Sequence, residues 1–162
     1  MGTKRFLLIL CILCSFTAFA QDKSMIKFFD KYENEDDVTI VNISKAMFDM
    51  IPMNSIKTGN ADISTILPKI ESMRIITSQN KDLKAKMAAE AKTLVEKNNN
   101  YEELMRIKDG KTNVIFNAIK SGDLIRELLM LVNSEEDFVA IQILGNFTVQ
   151  DVQNIAKKSG KQ

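Results

Sequence analysis

Residues 101–144 read YEELMRIKDGKTNVIFNAIKSGDLIRELLMLVNSEEDFVAIQIL, and the placing of turn residues within this stretch decides the fold. Tyr101, Met105 and Ile107 interleave with Glu102, Arg106 and Lys108, close to the two-residue period that sends alternate side chains to opposite faces of a strand. Asp109-Gly110 is then the strongest hairpin signal in the chain, because a tight hairpin turn needs positive φ and glycine adopts it without steric cost. Val114, Phe116 and Ala118 continue a returning strand, and Ser121-Gly122 makes a second turn. Residues 124–132 fit two patterns, since Leu124, Ile125, Leu128 and Leu129 also form a helical stripe. Neighbouring strands and short turns favour a strand. Residues 133–137 form a polar turn before the β-rich run FVAIQIL at 138–144. The stretch therefore predicts a four-stranded antiparallel meander.

Working outward, Thr148 is placed to cap a final helix, with Asp151 three residues on as a capping-box variant and Phe147 stapling to Val152. Lys157 and Lys158 suit its C-terminal dipole before Gly160. Upstream of the meander, Leu83, Met87, Ala91, Leu94 and Val95 form one stripe of a helix over Lys81–Lys97, ended by Asn98, Asn99 and Asn100. Residues 70–77 read as a strand after Pro68, whereas 53–66 carry no clear period and contain a break at Gly59-Asn60. Ser44 can cap a short helix bearing Met47, Phe48 and Ile51, which Pro52 stops. Residues 38–41 have β-branched strand composition and 33–37 form an acidic turn. Met25, Phe28, Phe29 and Tyr32 share one face of a helix over Ser24–Tyr32. The expected fold is α+β: a mainly antiparallel sheet with a C-terminal meander and helices packed on one face, in a single domain over residues 21–162.

The first twenty residues read as a signal peptide. Lys4 and Arg5 form a positive start, residues 6–16 are apolar, and Ala18-Phe19-Ala20 supplies small residues for cleavage between Ala20 and Gln21. Leu10 and Leu13 precede Cys11 and Cys14, where lipidation would need a small residue, so a periplasmic or secreted soluble product is expected, with no membrane span. Losing Lys4 and Arg5 leaves 20 basic and 21 acidic residues, which gives no electrostatic drive toward nucleic acid. The 162-residue chain has no histidine and no tryptophan, and its only two cysteines lie in the leader. The mature chain therefore lacks disulfides, thiol chemistry and the nitrogen and sulfur ligands of transition metals, and no cofactor is expected.

Several segments resemble one family. Phe28-Phe29-Asp30-Lys31-Tyr32, the run VTIVNISKAMF at 38–48, the hairpin YEELMRIKDGK at 101–111 and the 124–144 region leading into FVAIQILGNFT are similar to DUF family 4252. The resemblance implies a small exported protein of a Bacteroidetes-type Gram-negative bacterium and an envelope-response context. It brings no catalytic residues with it, since its motifs are packing and turn patterns.

Candidate chemistry is sparse. Ser24-x-x-Lys27 and Ser78-x-x-Lys81 have the spacing that lets lysine accept a serine proton, although capping explains both serines. Oxygen-only metal sites would have to use the acidic runs 33–37 or 135–137, neither of which has EF-hand spacing. Asn42-Ile43-Ser44 and Asn146-Phe147-Thr148 match glycosylation sequons, but Ser44 and Thr148 read as caps. Lys81, Lys84, Lys86, Lys92 and Lys97 line a helix face interrupted by Asp82, Glu90 and Glu96, and Met47, Met50 and Met53 cluster near the N-terminal elements. The sheet carries more apolar residues than one covered face requires: Ile115, Ile119, Ile125, Leu129, Leu131, Val139, Ile141 and Ile143. From these the expected binding surface is Leu129, Leu131, Ile141 and Ile143, on an exported non-catalytic domain that binds an envelope protein. A carrier of an apolar small molecule or lipid would instead enclose a cavity, and a small hydrolase would need converging acids or a Ser–Lys pair.

Overall fold

A computed structural model describes residues 24–51 and 66–151. The expected signal peptide and Gln21, most of the 53–66 stretch, and Val152, Lys157, Lys158 and Gly160 lie outside the described residues.

Helix α1 (Ser24–Tyr32) forms where the three- and four-residue spacing predicts it and buries Met25, Phe28, Phe29 and Tyr32. After the acidic turn come strand β1 (Thr39–Ser44) and the short helix α2 (Lys45–Asp49). Ser44 stands at the N-cap of α2, but its hydroxyl makes no capping bond. A 3-10 turn (Leu67–Lys69), with Pro68 in its first positions, leads into β2 (Ile70–Ser78). The long helix α3 (Lys81–Lys97) starts at Asn80, whose side-chain oxygen accepts from the N–H groups of Asp82 and Leu83, each at 3.1 Å. Ser78, the capping candidate in the sequence, closes β2 instead.

The meander follows as β3 (Tyr101–Asp109), β4 (Thr112–Ser121), β5 (Leu124–Asn133) and β6 (Phe138–Thr148). Gly110 and Gly122 sit in the first two turns with φ of 55° and 60°, conformations that disfavour other residues. The segment with two readings is a strand, hydrogen-bonded on both sides to β4 and β6. All six strands form one antiparallel sheet in the order β1-β2-β6-β5-β4-β3, so β2 docks on the last strand of the meander and β1 on β2. At Gly145 a Cβ would come within 2.3 Å of the Lys69 carbonyl oxygen and of the Phe147 ring, so the β2–β6 crossing beside the 3-10 turn requires glycine.

Helices α1 and α3 cover one face. Met25, Phe28, Phe29, Tyr32, Met87 and Ala91 pack there with Ile76, Leu129, Leu131, Phe138 and Ala140. Phe28 makes edge-to-face contacts with Phe29, Tyr32 and Phe138 at centroid distances of 5.9, 5.2 and 6.4 Å. A second, smaller cluster of Phe48, Leu67, Ile70, Ala118, Ile125 and Phe147 involves α2 and the 3-10 turn. Beyond β6, residues 149–151 begin a helix behind the predicted capping box: the Asp151 carboxylate accepts from the Thr148 N–H at 2.7 Å, and the Thr148 hydroxyl accepts from the Asp151 N–H at 3.2 Å.

Candidate binding surface

Directly paired residues in neighbouring strands point to the same face, so the register sorts the sheet into rows. On the face turned away from α1 and α3, one row runs Ile43, Met73, Ile143, Leu128 and Ala118 across five strands. These residues pack with the smaller cluster, under Phe48 and Leu67. A second row runs Val41, Ile75, Ile141, Met130, Phe116 and Met105, and a third runs Thr39, Thr77, Val139, Val132, Val114 and Ile107. Ten of these twelve side chains are apolar and none is charged. None is fully buried either: Val41, Met105 and Ile107 at the two sheet edges are 41%, 47% and 46% exposed, and the central members are half-buried. Their counterparts on the helix-covered face, Ile76, Ala140 and Leu131, are buried. Met47 of α2 and Met50 at its C-cap are also exposed, and Phe48 of the same helix belongs to the cluster that holds Ile43 and Met73.

The four residues expected to form one surface divide between the faces. Leu129 and Leu131 lie in the core beneath the helices, 0% and 7% exposed, while Ile141 and Ile143 point to the opposite face. The cause is register: Asn133 pairs with Phe138, which sets Leu129 opposite Gln142 and Leu131 opposite Ala140, so odd-numbered residues of β5 share a face with even-numbered residues of β6. Ile115 and Ile119 likewise share the helix-covered face, opposite Leu131 and Glu127.

The β3 edge of the sheet is less inviting than its open face. β3 is exposed along nearly its whole length, but a bulge between Glu103 and Met105 breaks its ladder. Its charges Glu102, Glu103, Arg106, Lys108 and Asp109 are of mixed sign. Bulges and charges of this kind oppose pairing with another strand.

Ser78, the acidic runs and Lys84, Lys86 and Lys92 of the lysine face are held in structural contacts. The Ser78 hydroxyl donates to the Asp37 carbonyl at 2.9 Å and accepts from the Asn80 N–H at 3.3 Å, so its proton points away from Lys81. Asp37 also accepts from the Asn80 amide at 2.7 Å, tying the acidic turn to the start of α3. In the second acidic run, Asp137 accepts from the Ser134 hydroxyl at 2.6 Å and Glu135 pairs with Lys111. Among the described residues no three Asp or Glu side chains converge into a group able to hold a metal. On α3, Lys84 donates to the carbonyls of Ser134 and Glu135, Lys86 lies 6.0 Å from the Tyr32 ring centre, and Lys92 pairs with Glu96 at 3.7 Å. Glu90 accepts from Lys31 at 2.5 Å and from the Tyr32 hydroxyl at 2.7 Å. Burial would raise the Glu90 carboxyl, but those two donors prevail and hold it below its ordinary value. Burial and the adjacent Glu90 push the Tyr32 phenol well above its usual range.

One polar cluster was not among the sequence candidates. Glu127, Gln142 and Asn117 project from β5, β6 and β4 into the helix-covered side and are almost fully buried. Glu127 accepts from the Gln142 amide at 2.9 Å and from the Tyr101 hydroxyl. Asn117 Nδ2 and Gln142 Oε1 find no partner among the described residues. The signal for it was a charge at 127 in the series Ile125, Leu129, Leu131, where every other member is apolar.

A family model described as a domain of unknown function, DUF4252, matches residues 32–155. The chain belongs to that family. The match takes in every strand of this DUF4252 sheet and both half-exposed rows, but stops short of Met25, Phe28 and Phe29, which supply much of the helical side of its core. No curated protein and no solved structure matches the chain. No helix among the described residues of this DUF4252 domain is long and apolar enough to cross a membrane.

Proposed function

We propose that this DUF4252 domain is an exported, non-catalytic module that binds a protein in the cell envelope through the sheet face bearing Ile75, Ile141, Met130 and Phe116. The observation that carries this reading is the pair of continuous, uncharged rows on that face. Apolar surface of that extent on a soluble domain marks a contact site. An open, half-exposed sheet face suits another protein better than a small apolar molecule, which has to be enveloped to leave water. Cleavage after Ala20 would place the module outside the cytoplasm, and the family resemblance sets it in an envelope response.

Two measurements test the reading. N-terminal sequencing of the exported protein should begin at Gln21, and a lipid-modified Cys11 or Cys14 would contradict it. Ile141→Lys puts a charge into the centre of the rows while leaving the helix-covered core untouched. The variant should keep its circular dichroism spectrum and melt within a few degrees of the parent, yet lose any partner crosslinked in envelope extract. Unfolding of this variant would mean that the face is core, and the reading would fail.

A further inference from the structure

We infer that the free edge of the sheet at β1 docks an extended segment of another protein, which adds to the sheet as one more strand. This names the form of the partner in the proposed binding role and rests on that role. The first support is the chemistry of the edge. Among the described residues β1 pairs only with β2, so alternate residues of Thr39–Ser44 turn a backbone N–H and C=O away from the sheet. A row of donors and acceptors at strand spacing is matched by one class of ligand, an extended polypeptide backbone. The other edge is defended and this one is not. β3 carries a bulge and charges of both signs, whereas TIVNIS of β1 has no charge, proline or glycine and runs along β2 without a register shift. Thr39, Val41, Asn42 and Ser44 are exposed. The strand is also held in place ahead of any partner, because Ile40 packs against the helix-covered core and Ile43 against the smaller cluster.

The second support is what adjoins the edge. Val41 and Thr39 head the two half-exposed rows, so a segment laid along β1 meets those rows through its own open-face side chains. Helix α2, which follows β1 directly, packs back onto β1 and β2. A second copy joined edge to edge would satisfy the backbone of β1 but leave the rows of both copies in water. An extended segment that leaves β1 can turn across the rows and cover them as well, which assigns the edge to a different protein with an unfolded or pliant stretch. Register sets the pattern of that stretch. Apolar residues fit opposite Thr39, Val41 and Ile43 on the open face, and small or polar ones fit opposite Ile40, Asn42 and Ser44, where Asn42 stands beside Arg74.

The test is selection of a displayed library of short random peptides against the full mature chain, with the tightest binder then synthesised for measurement of its dissociation constant. Two further versions of that peptide carry N-methyl groups on alternate residues, one in each phase, and hydrogen exchange of the outward β1 amides is followed with and without the parent peptide. The expected binder alternates apolar and polar residues and slows exchange along Thr39–Ser44. N-methylation in the phase that faces β1 should weaken binding at least about tenfold, while the other phase should bind within about threefold of the parent peptide. A library that yields no binder would overturn the inference. A binder indifferent to both phases but lost with Ile141→Lys would overturn the edge and leave the open face as the binding site. Outward β1 amides already protected in the isolated chain at low concentration would show that the chain covers its own edge, and protection that grows with protein concentration alone would give the edge to a second copy; either result overturns the inference.

Discussion

The register of β5 against β6 can be tested by truncating one residue on each side of the sheet. Leu129 is fully buried between α1, α3 and the sheet, so Leu129→Ala removes buried methyl groups and leaves a cavity that the rigid helix layer cannot close. Such substitutions cost about 2–5 kcal/mol, which in a domain of this size lowers the melting temperature by about 6–15 °C. Ile141 is half-buried on the opposite face, where water already reaches part of the side chain. Ile141→Ala should cost only about 1 kcal/mol, or about 3 °C, since less apolar area returns to solvent. Thermal melts followed by far-ultraviolet circular dichroism at low micromolar protein measure both. Equal losses, or a larger loss for Ile141→Ala, would show that the two residues are equally enclosed and would refute the assignment of faces.

Two further outcomes follow from local geometry. Gly145→Ala forces a Cβ to within 2.3 Å of the Lys69 carbonyl and should destabilise by about 1–3 kcal/mol in melts, more than Gly122→Ala, where nothing lies within 4 Å and only the backbone conformation resists. The Lys69 ammonium and the Thr148 N–H hold the Asp151 carboxyl below its ordinary value of 3.8. A lowered folded-state pKa gives stability that is present above the unfolded value and lost as pH falls through the folded one. Asp151→Asn should therefore cost about 1 kcal/mol at neutral pH, and the gap to the parent should close below about pH 4; a gap that persists there would contradict the ionic role.

Much of the fold was legible because its elements are locally consistent. The helices over Ser24–Tyr32 and Lys81–Lys97 announce themselves by apolar spacing, and Gly110 and Gly122 by the backbone they permit. What escaped was non-local. Nothing within residues 70–78 says that this strand pairs with β6, more than sixty residues away, because both neighbours are equally aliphatic. Face assignment failed over one residue: a turn taken as 133–137 closes on Val132 and Phe138 and aligns Leu129 with Ile141, whereas the actual pairing of Asn133 with Phe138 shifts every residue to the other side. Capping failed in a similar way. Ser78 and Asn80 are both good caps, and the choice fell to Asn80 because the Ser78 hydroxyl is held by the Asp37 carbonyl.

The distribution of polarity across the sheet runs against what folding alone would select. An antiparallel sheet with one covered face ordinarily turns its apolar side chains to the helices and its polar ones to water. Here Asn42, Arg74, Gln142, Asn117 and Glu103 share the helix side with Leu129 in a single row, and Gln142, Asn117 and nearby Glu127 are almost fully buried. Arg74 needs Asp30 of α1 as a partner at 3.3 Å, and Glu127 needs Tyr101 and Gln142. The uncharged rows lie on the other face. Burying polar groups costs stability unless each is satisfied, and holding aliphatic rows half-exposed forgoes the gain of burying them. The second of these costs disappears if the open rows are covered in the working state, with Ile141 and Met130 as central contacts of an interface rather than as surplus core.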